Sequence, residues 1–110
     1  MDPHLFAGIP VTDFPAALSW YEKFLGGPPA FFPNDIEAVW NIGDGRSVYI
    51  VVRPEHAGHS LVTLFVDDFD RWVADKAARG VEPASREEYE NGVRKAVYRD
   101  PDGNEFGVGG

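Results

Sequence analysis

His4-Leu5-Phe6-Ala7-Gly8-Ile9-Pro10-Val11-Thr12-Asp13-Phe14 returns 55 positions later as His59-Ser60-Leu61-Val62-Thr63-Leu64-Phe65-Val66-Asp67-Asp68-Phe69. The identities at this offset are His4 with His59, Val11 with Val66, Asp13 with Asp68 and Phe14 with Phe69. Similarity at a fixed spacing marks a duplicated structural unit. The two copies also agree in what they encode. Leu5 to Val11 reads as a strand, Asp13 as a helix cap, and Phe14, Ala17, Leu18, Tyr21, Phe24 and Leu25 recur at helical spacing until Gly26-Gly27 ends the helix. In the second copy Leu61 to Val66 is the strand and Asp68 the cap. Phe69, Trp72, Val73, Lys76 and Ala77 keep the same period up to Gly80. Lys76 is the odd member of that stripe, and its aliphatic stem can lie along the helix edge.

Three short strand signals follow each helix. In the first half they are Ala30 to Pro33, Glu37 to Ile42 and Ser47 to Arg53, the last two joined by the turn Gly43-Asp44-Gly45-Arg46. In the second half they are Glu82 to Ser85 with a ragged continuation to Tyr89, Val93 to Arg99, and Glu105 to Val108. Asp100-Pro101-Asp102-Gly103-Asn104 makes the last reversal. The reading is an α+β fold of two tandem β-α-β-β-β modules. They form a curved mixed sheet with helices on its outer face and a cup on the other. Module 1 covers about residues 4–53 and module 2 about 59–110. The linker 54–58 is too short to separate independent domains, so residues 1–110 are expected to form one.

Composition narrows the function classes. The 110 residues are 44% apolar, an ordinary globular value. A chain of this length buries only about 65% of its unfolded surface, so an interface with a second copy would add useful burial. No cysteine is present, and the fold must rest on packing, as in a reducing compartment. Met1 to Phe6 carry neither a basic region nor an apolar run, and no stretch is long and apolar enough for a membrane span. Cytoplasm is therefore the expected location. A net charge of −8 opposes binding to phosphate backbones, which excludes nucleic acid as an expected partner.

Val11-Thr12-Asp13 leading into Trp20-Tyr21-Glu22-Lys23-Phe24-Leu25-Gly26, together with Tyr98-Arg99-Asp100-Pro101-Asp102-Gly103-Asn104-Glu105-Phe106, resembles the vicinal oxygen chelate superfamily. That superfamily contains glyoxalase I, extradiol dioxygenases, fosfomycin-resistance enzymes and bleomycin-resistance proteins. The resemblance covers nearly the whole chain. It implies that metal-dependent members would coordinate one divalent ion from the first and last strands of each half, usually through His and Glu. Carried onto this sequence, the coordinating positions are Phe6, Leu61, Gly107 and either Tyr49 or Ile50. None of these side chains is a metal donor of the kind such an ion needs. The Lewis acid on which much of the superfamily's chemistry depends is thereby removed. The resemblance is closest to the non-metal, bleomycin-resistance-like members, whose cups are often completed by two chains, and no cofactor is expected.

His4 and His59 sit two residues before Phe6 and Leu61, on the same strand faces and about 7 Å further back. With His56 they form the one alternative, displaced metal set. The ligand-facing candidates are Phe6, Trp40, Tyr49, Arg53, Tyr98 and Phe106, with Phe32 at the edge, since aromatic rings on strands suit a flat or hydrophobic ligand. Trp20 and Trp72 read as packing or dimer-contact residues. No Gly-x-Ser-x-Gly elbow is present, Ser19, Ser47, Ser60 and Ser85 lie in no nucleophile signature, and Gly43-Asp44-Gly45 lacks the following helix of a phosphate loop. Glu87, Glu88 and Glu90 read as a solvated acidic run, or as a rim that would draw in a cationic ligand. The expected function is metal-free binding of an aromatic or hydrophobic small molecule by a homodimer, with antibiotic resistance as one use. The alternatives are an enzyme of the same fold, such as a lyase, isomerase or dioxygenase, and a protein-interaction module.

Overall fold

The computed structural model describes residues 2–110. Its elements run β1 (Leu5–Val11), α1 (Phe14–Leu25), β2 (Phe31–Asn34), β3 (Glu37–Gly43), β4 (Arg46–Val52), a 3-10 turn at Pro54–His56, β5 (Leu61–Phe65), α2 (Phe69–Ala78), β6 (Ser85–Glu88), β7 (Arg94–Arg99) and β8 (Glu105–Gly109). The duplicated β-α-β-β-β order and the α+β class are those of the sequence reading. Asp13 caps α1 by accepting from the Ala16 amide at 3.1 Å, and Asp68 caps α2 by accepting from the Arg71 amide at 3.2 Å. These bonds satisfy amides that a helix start leaves free. Gly26 ends α1 with φ of 95°, in the left-handed region where only glycine is unstrained. The second strand of the second half, β6, begins at Ser85, later than the spacing suggests. Pro83 has no amide to give to a ladder, which opens only with Ala84 donating to the Val97 carbonyl at 2.8 Å.

The strands form two separate four-stranded sheets, ordered β1-β4-β3-β2 and β5-β8-β7-β6. Each is mixed: β1 runs parallel to β4 and β5 parallel to β8, while the remaining pairs are antiparallel. Alternation gives every strand two faces. Ile9, Val11, Ala38, Trp40, Val48 and Ile50 of the first sheet are buried on one side, as are Ala96, Tyr98, Phe106 and Val108 of the second. These buried faces, with residues of both helices, belong to one continuous core. Helix α1 bridges the halves. Tyr21 lies 6.0 Å from the Trp40 ring, and Phe24 lies 5.0 Å from Tyr98, 4.9 Å from Phe106 and 5.2 Å from Trp72. The edges β1 and β5 make no strand pairing with each other.

A buried polar cluster locks the halves together. Asp100, 5% exposed, accepts from the Asp102 and Asn104 amides through Oδ1, and from the Tyr21 hydroxyl and Asn104 Nδ2 through Oδ2. Asn104 also donates to the Pro10 carbonyl at 2.8 Å and accepts from the Gly58 and Ser60 amides, each at 3.0 Å. Asp102 takes both the amide and the hydroxyl of Thr12. The turn between β7 and β8 therefore holds β1, α1 and the linker at once. Every capacity of the Asn104 side chain is used, which satisfies the requirement that buried polar groups be bonded.

Replacing Asn104 by Ala strands the Gly58 and Ser60 amides and is expected to cost about 2–4 kcal/mol. Urea unfolding measures it, and a loss below about 0.5 kcal/mol would show that the cluster is not structural. Tyr21 has its phenol pushed well above the usual range, first by burial and then by the Asp100 charge and hydrogen bond. Burial likewise raises Tyr98. The folded chain therefore keeps protons that the unfolded chain releases near pH 10, so stability is full below pH 10 and falls as pH rises above it. Tyr21→Phe removes its share of that alkaline slope, readable as the difference in melting temperature between pH 8 and pH 11.

Candidate functional site

The faces turned away from the helices are the two places where side chains meet solvent on a regular scaffold. On the first sheet the pairings Gly8 with Tyr49, Tyr49 with Val39, and Val39 with Phe31 place these four residues in one row. Directly opposed residues share a face, so the row forms one surface. A shallow groove of about 390 Å³ lies on it, lined by Gly8, Pro10, Glu37, Tyr49, Val51, Arg53 and His56. Gly8 is needed here for space. A Cβ built on it would stand 2.6 Å from the tip of the Tyr49 ring, so the phenol lies flat across the strand where any side chain would lift it. Phe6 is next on the same face, 49% exposed, and stacks on the His4 imidazole at a 4.5 Å centroid distance.

The second sheet has a corresponding open face, with a groove of about 200 Å³ lined by Leu61, Thr63, Lys95, Val97, Glu105 and Gly107 among others. Arg99 and Glu105 pair across it at 2.6 Å. Lys95 lies over Gly107, where an added Cβ would meet its Cε at 2.8 Å and its Nζ at 3.5 Å. The ammonium end of a lysine thus sits beside the position where the superfamily pattern puts an ion ligand. Among the described residues no group of three or more His, Cys, Asp or Glu could hold a metal. The donor set of this chain does not fit a resident divalent ion.

The three histidines of the displaced alternative do not form such a group. His4 Nε2 lies 2.8 Å from the Ser47 hydroxyl, which itself donates to Asn41 Oδ1. His56 faces the first groove, and His59 is exposed at the far end of the linker.

The ligand-facing candidates divide by strand register. Phe6, Tyr49 and Arg53 share the first open face. Phe32 is exposed on the edge strand β2, but pairing gives the in-facing place to its neighbour Phe31. Trp40, Tyr98 and Phe106 are corrected: they lie on the helix-covered faces, 4%, 0% and 1% exposed. Trp40 pairs with Val48, one step out of phase with Tyr49, and donates its indole N–H to the Gly27 carbonyl at 2.9 Å. Tyr98 pairs with Phe106, and both close on Phe24. A shift of one residue exchanges the faces of a strand, and the sequence contains no direct mark of that phase. Pro10, Glu37 and Val51 on one sheet and Leu61, Thr63, Lys95 and Glu105 on the other line the grooves without being among the ligand-facing candidates of the sequence, and Val39 and Phe31 continue the Tyr49 row. Stepping by two from Tyr49 finds Val51, whereas Val39 and Phe31 need the ladder itself.

Gly8→Ala should lift the Tyr49 ring from the strand at a cost of about 1–3 kcal/mol. NMR of the Tyr49 ring protons would detect the displacement, and unchanged shifts would mean that the close approach is not maintained in solution.

The model of the glyoxalase/bleomycin resistance protein/dioxygenase superfamily matches residues 3–108. Among solved structures, a glyoxalase/bleomycin resistance protein from Catenulispora acidiphila DSM 44928 is 53% identical. It superposes with a TM-score of 0.95, over 98% of this chain and 97% of that one. A lactoylglutathione lyase from Agrobacterium tumefaciens is 18% identical with a TM-score of 0.79, over 96% and 90% of the two chains. A bleomycin-binding protein complexed with bleomycin is 20% identical with a TM-score of 0.76, over 98% of each. At those lower identities the likeness is one of fold. No curated protein matches the chain.

Proposed function

The chain belongs to the glyoxalase/bleomycin resistance protein/dioxygenase superfamily, and from that premise we propose that it is a metal-independent receptor for an aromatic or hydrophobic small molecule. One observation carries the reading: half-buried Tyr49, laid over Gly8 beside exposed Phe6, makes an aromatic surface on a face where the described residues offer no ion-binding set. Flat rings give large contact area at low entropic cost, which suits stacking of a planar ligand. Arg53 and Glu37 at the rim supply the polar groups that would orient it. Phe31 and Phe32 flank the surface, and Trp40 lies on the opposite, helix-covered face of the same sheet, while Tyr98 and Phe106 hold the corresponding place in the second sheet. The cysteine-free composition fits action in a reducing cytoplasm.

A homodimer completes this receptor. The two open faces belong to different sheets and their grooves share no lining residue, so a cup with two walls needs a second copy. The unpaired edges bear the three most exposed large apolar side chains, Leu61 at 77% and Phe65 at 74% on β5 and Leu5 at 64% on β1, with Phe6 at 49% beside them. Exposed strand edges of this kind are templates for pairing with another chain. A dimer that sets the first sheet of one copy against the second sheet of the other covers these edges and encloses two equal cups.

The test is a thermal-shift series with bleomycin, planar aromatic antibiotics and divalent zinc, nickel and manganese, combined with light scattering. The expected outcome is a dimer stabilised by an aromatic ligand, by about 2.7 kcal/mol at a hundred times the dissociation constant. Tyr49→Ala abolishes that gain and the metals produce none. A monomer at all concentrations, or a metal-induced rise, would overturn the reading.

A further inference from the structure

On the helix side of the molecule, away from both open faces, the halves leave a cavity of about 330 Å³ between the C-terminal ends of the helices and strands β3 and β5. Phe24, Trp40, Leu64 and Trp72 form apolar walls contributed by both halves. Two cations face it, Arg46 from the start of β4 and Lys76 from α2, and no Asp or Glu lines it. Lys76 is only 7% exposed. Its Nζ lies 4.4 Å from the Trp72 ring centroid, and among the described residues no carboxylate pairs with it. Burying an ammonium without a counter-charge is costly. Burial, and then the Arg79 charge, hold the Lys76 ammonium below its ordinary pKa, against a smaller opposing effect of Asp75. A stripe position that helix periodicity reserves for an apolar residue is thus filled by a cation that makes no ion pair among the described residues.

We propose that this seam cavity is a second ligand site, which takes a small monoanion with an apolar or aromatic body, its carboxylate facing Lys76 and Arg46 and its body lying between Trp40 and Trp72. The volume is at the small end of the range for ligand pockets, about 300–1,000 Å³, which suits a short fatty acid or an arylalkanoate. An anion here removes the cost of the isolated charge, and because both halves supply walls, its binding also ties them together. Its lining shares no residue with either open-face groove, although Phe65, on the edge that the proposed dimer covers, borders it.

Titration with octanoate and with 3-phenylpropionate, followed by tryptophan fluorescence and by amide and indole chemical shifts, tests it. Octanol, octylamine and inorganic phosphate are the controls. Saturable binding is expected for the two carboxylates, with shifts centred on the Trp40 and Trp72 indoles, and at least about tenfold weaker binding of each control. Lys76→Met should lower carboxylate affinity about tenfold or more while maintaining or raising the melting temperature of the free protein, since the unpaired charge is removed. Arg46→Gln, a change at an exposed position in the other half, should weaken binding several-fold and serves where the Lys76 variant does not fold. The proposal is overturned by absence of saturable binding at millimolar carboxylate, including the case in which a second copy of the chain covers the cavity. Shifts confined to Tyr49 and the open faces, or carboxylate affinity unchanged from the parent protein in both variants, would overturn it as well.

Discussion

The carboxylate of Asp100, held under the surface by four hydrogen bonds, is the interaction on which the arrangement of this molecule depends. Each half is a small sheet with one helix, and such a unit buries too little surface to be stable alone. The cluster around Asp100 and Asn104 makes the turn between β7 and β8 a fixed point for Pro10, Thr12, Tyr21, Gly58 and Ser60. It decides that α1 leans onto the second sheet as well as the first, so that Phe24 can close over Tyr98 and Phe106. A buried ionised group is a poor source of net stability but a strong source of specificity when every partner is present.

The shared core determines which faces of the sheets stay open. Because the helix-covered faces of both sheets are consumed by packing, the opposite faces are left as two outward surfaces on different sides of the chain. Their chemistry differs. The first is aromatic and nearly flat, with Tyr49 resting on Gly8; the second is small and charged, with Lys95 over Gly107 and Arg99 paired to Glu105. Joining them across two copies would give a cup with a stacking wall and a polar wall, a division well suited to a ligand that is planar at one end and hydrogen-bonding at the other.

The seam between the halves has a different character from the open faces. Phe24 of α1 meets Trp72 of α2 edge to face, and beside that contact the packing of the two halves leaves a gap lined by Trp40 and Trp72 and faced by Arg46 and Lys76. The aliphatic stem of Lys76 completes the apolar stripe of α2, as its position in the heptad-like spacing suggests, but its charged end has to go somewhere. It goes into the gap.

The duplicated unit, its strand and helix order, and both aspartate caps were legible in the sequence because each rests on local chemistry: alternation, helical period, a carboxylate reaching a free amide. That Phe6, Leu61 and Gly107 stand where the resemblance puts ion ligands could also be read there, as an expectation resting on their spacing to the Val-x-Asp and Asp-Pro-Asp-Gly-Asn motifs. Which aromatics face outward was settled only by tertiary structure. Trp40 and Tyr49 look equivalent in a list of strand residues, yet the antiparallel register between β3 and β4 sets them on opposite faces, and one is core while the other is surface. The division into two sheets and the joining role of Asn104 likewise arise from contacts between residues far apart in the chain, such as Pro10 with Asn104. Local pattern specifies what each segment becomes; pairing register and long-range hydrogen bonds specify what it faces.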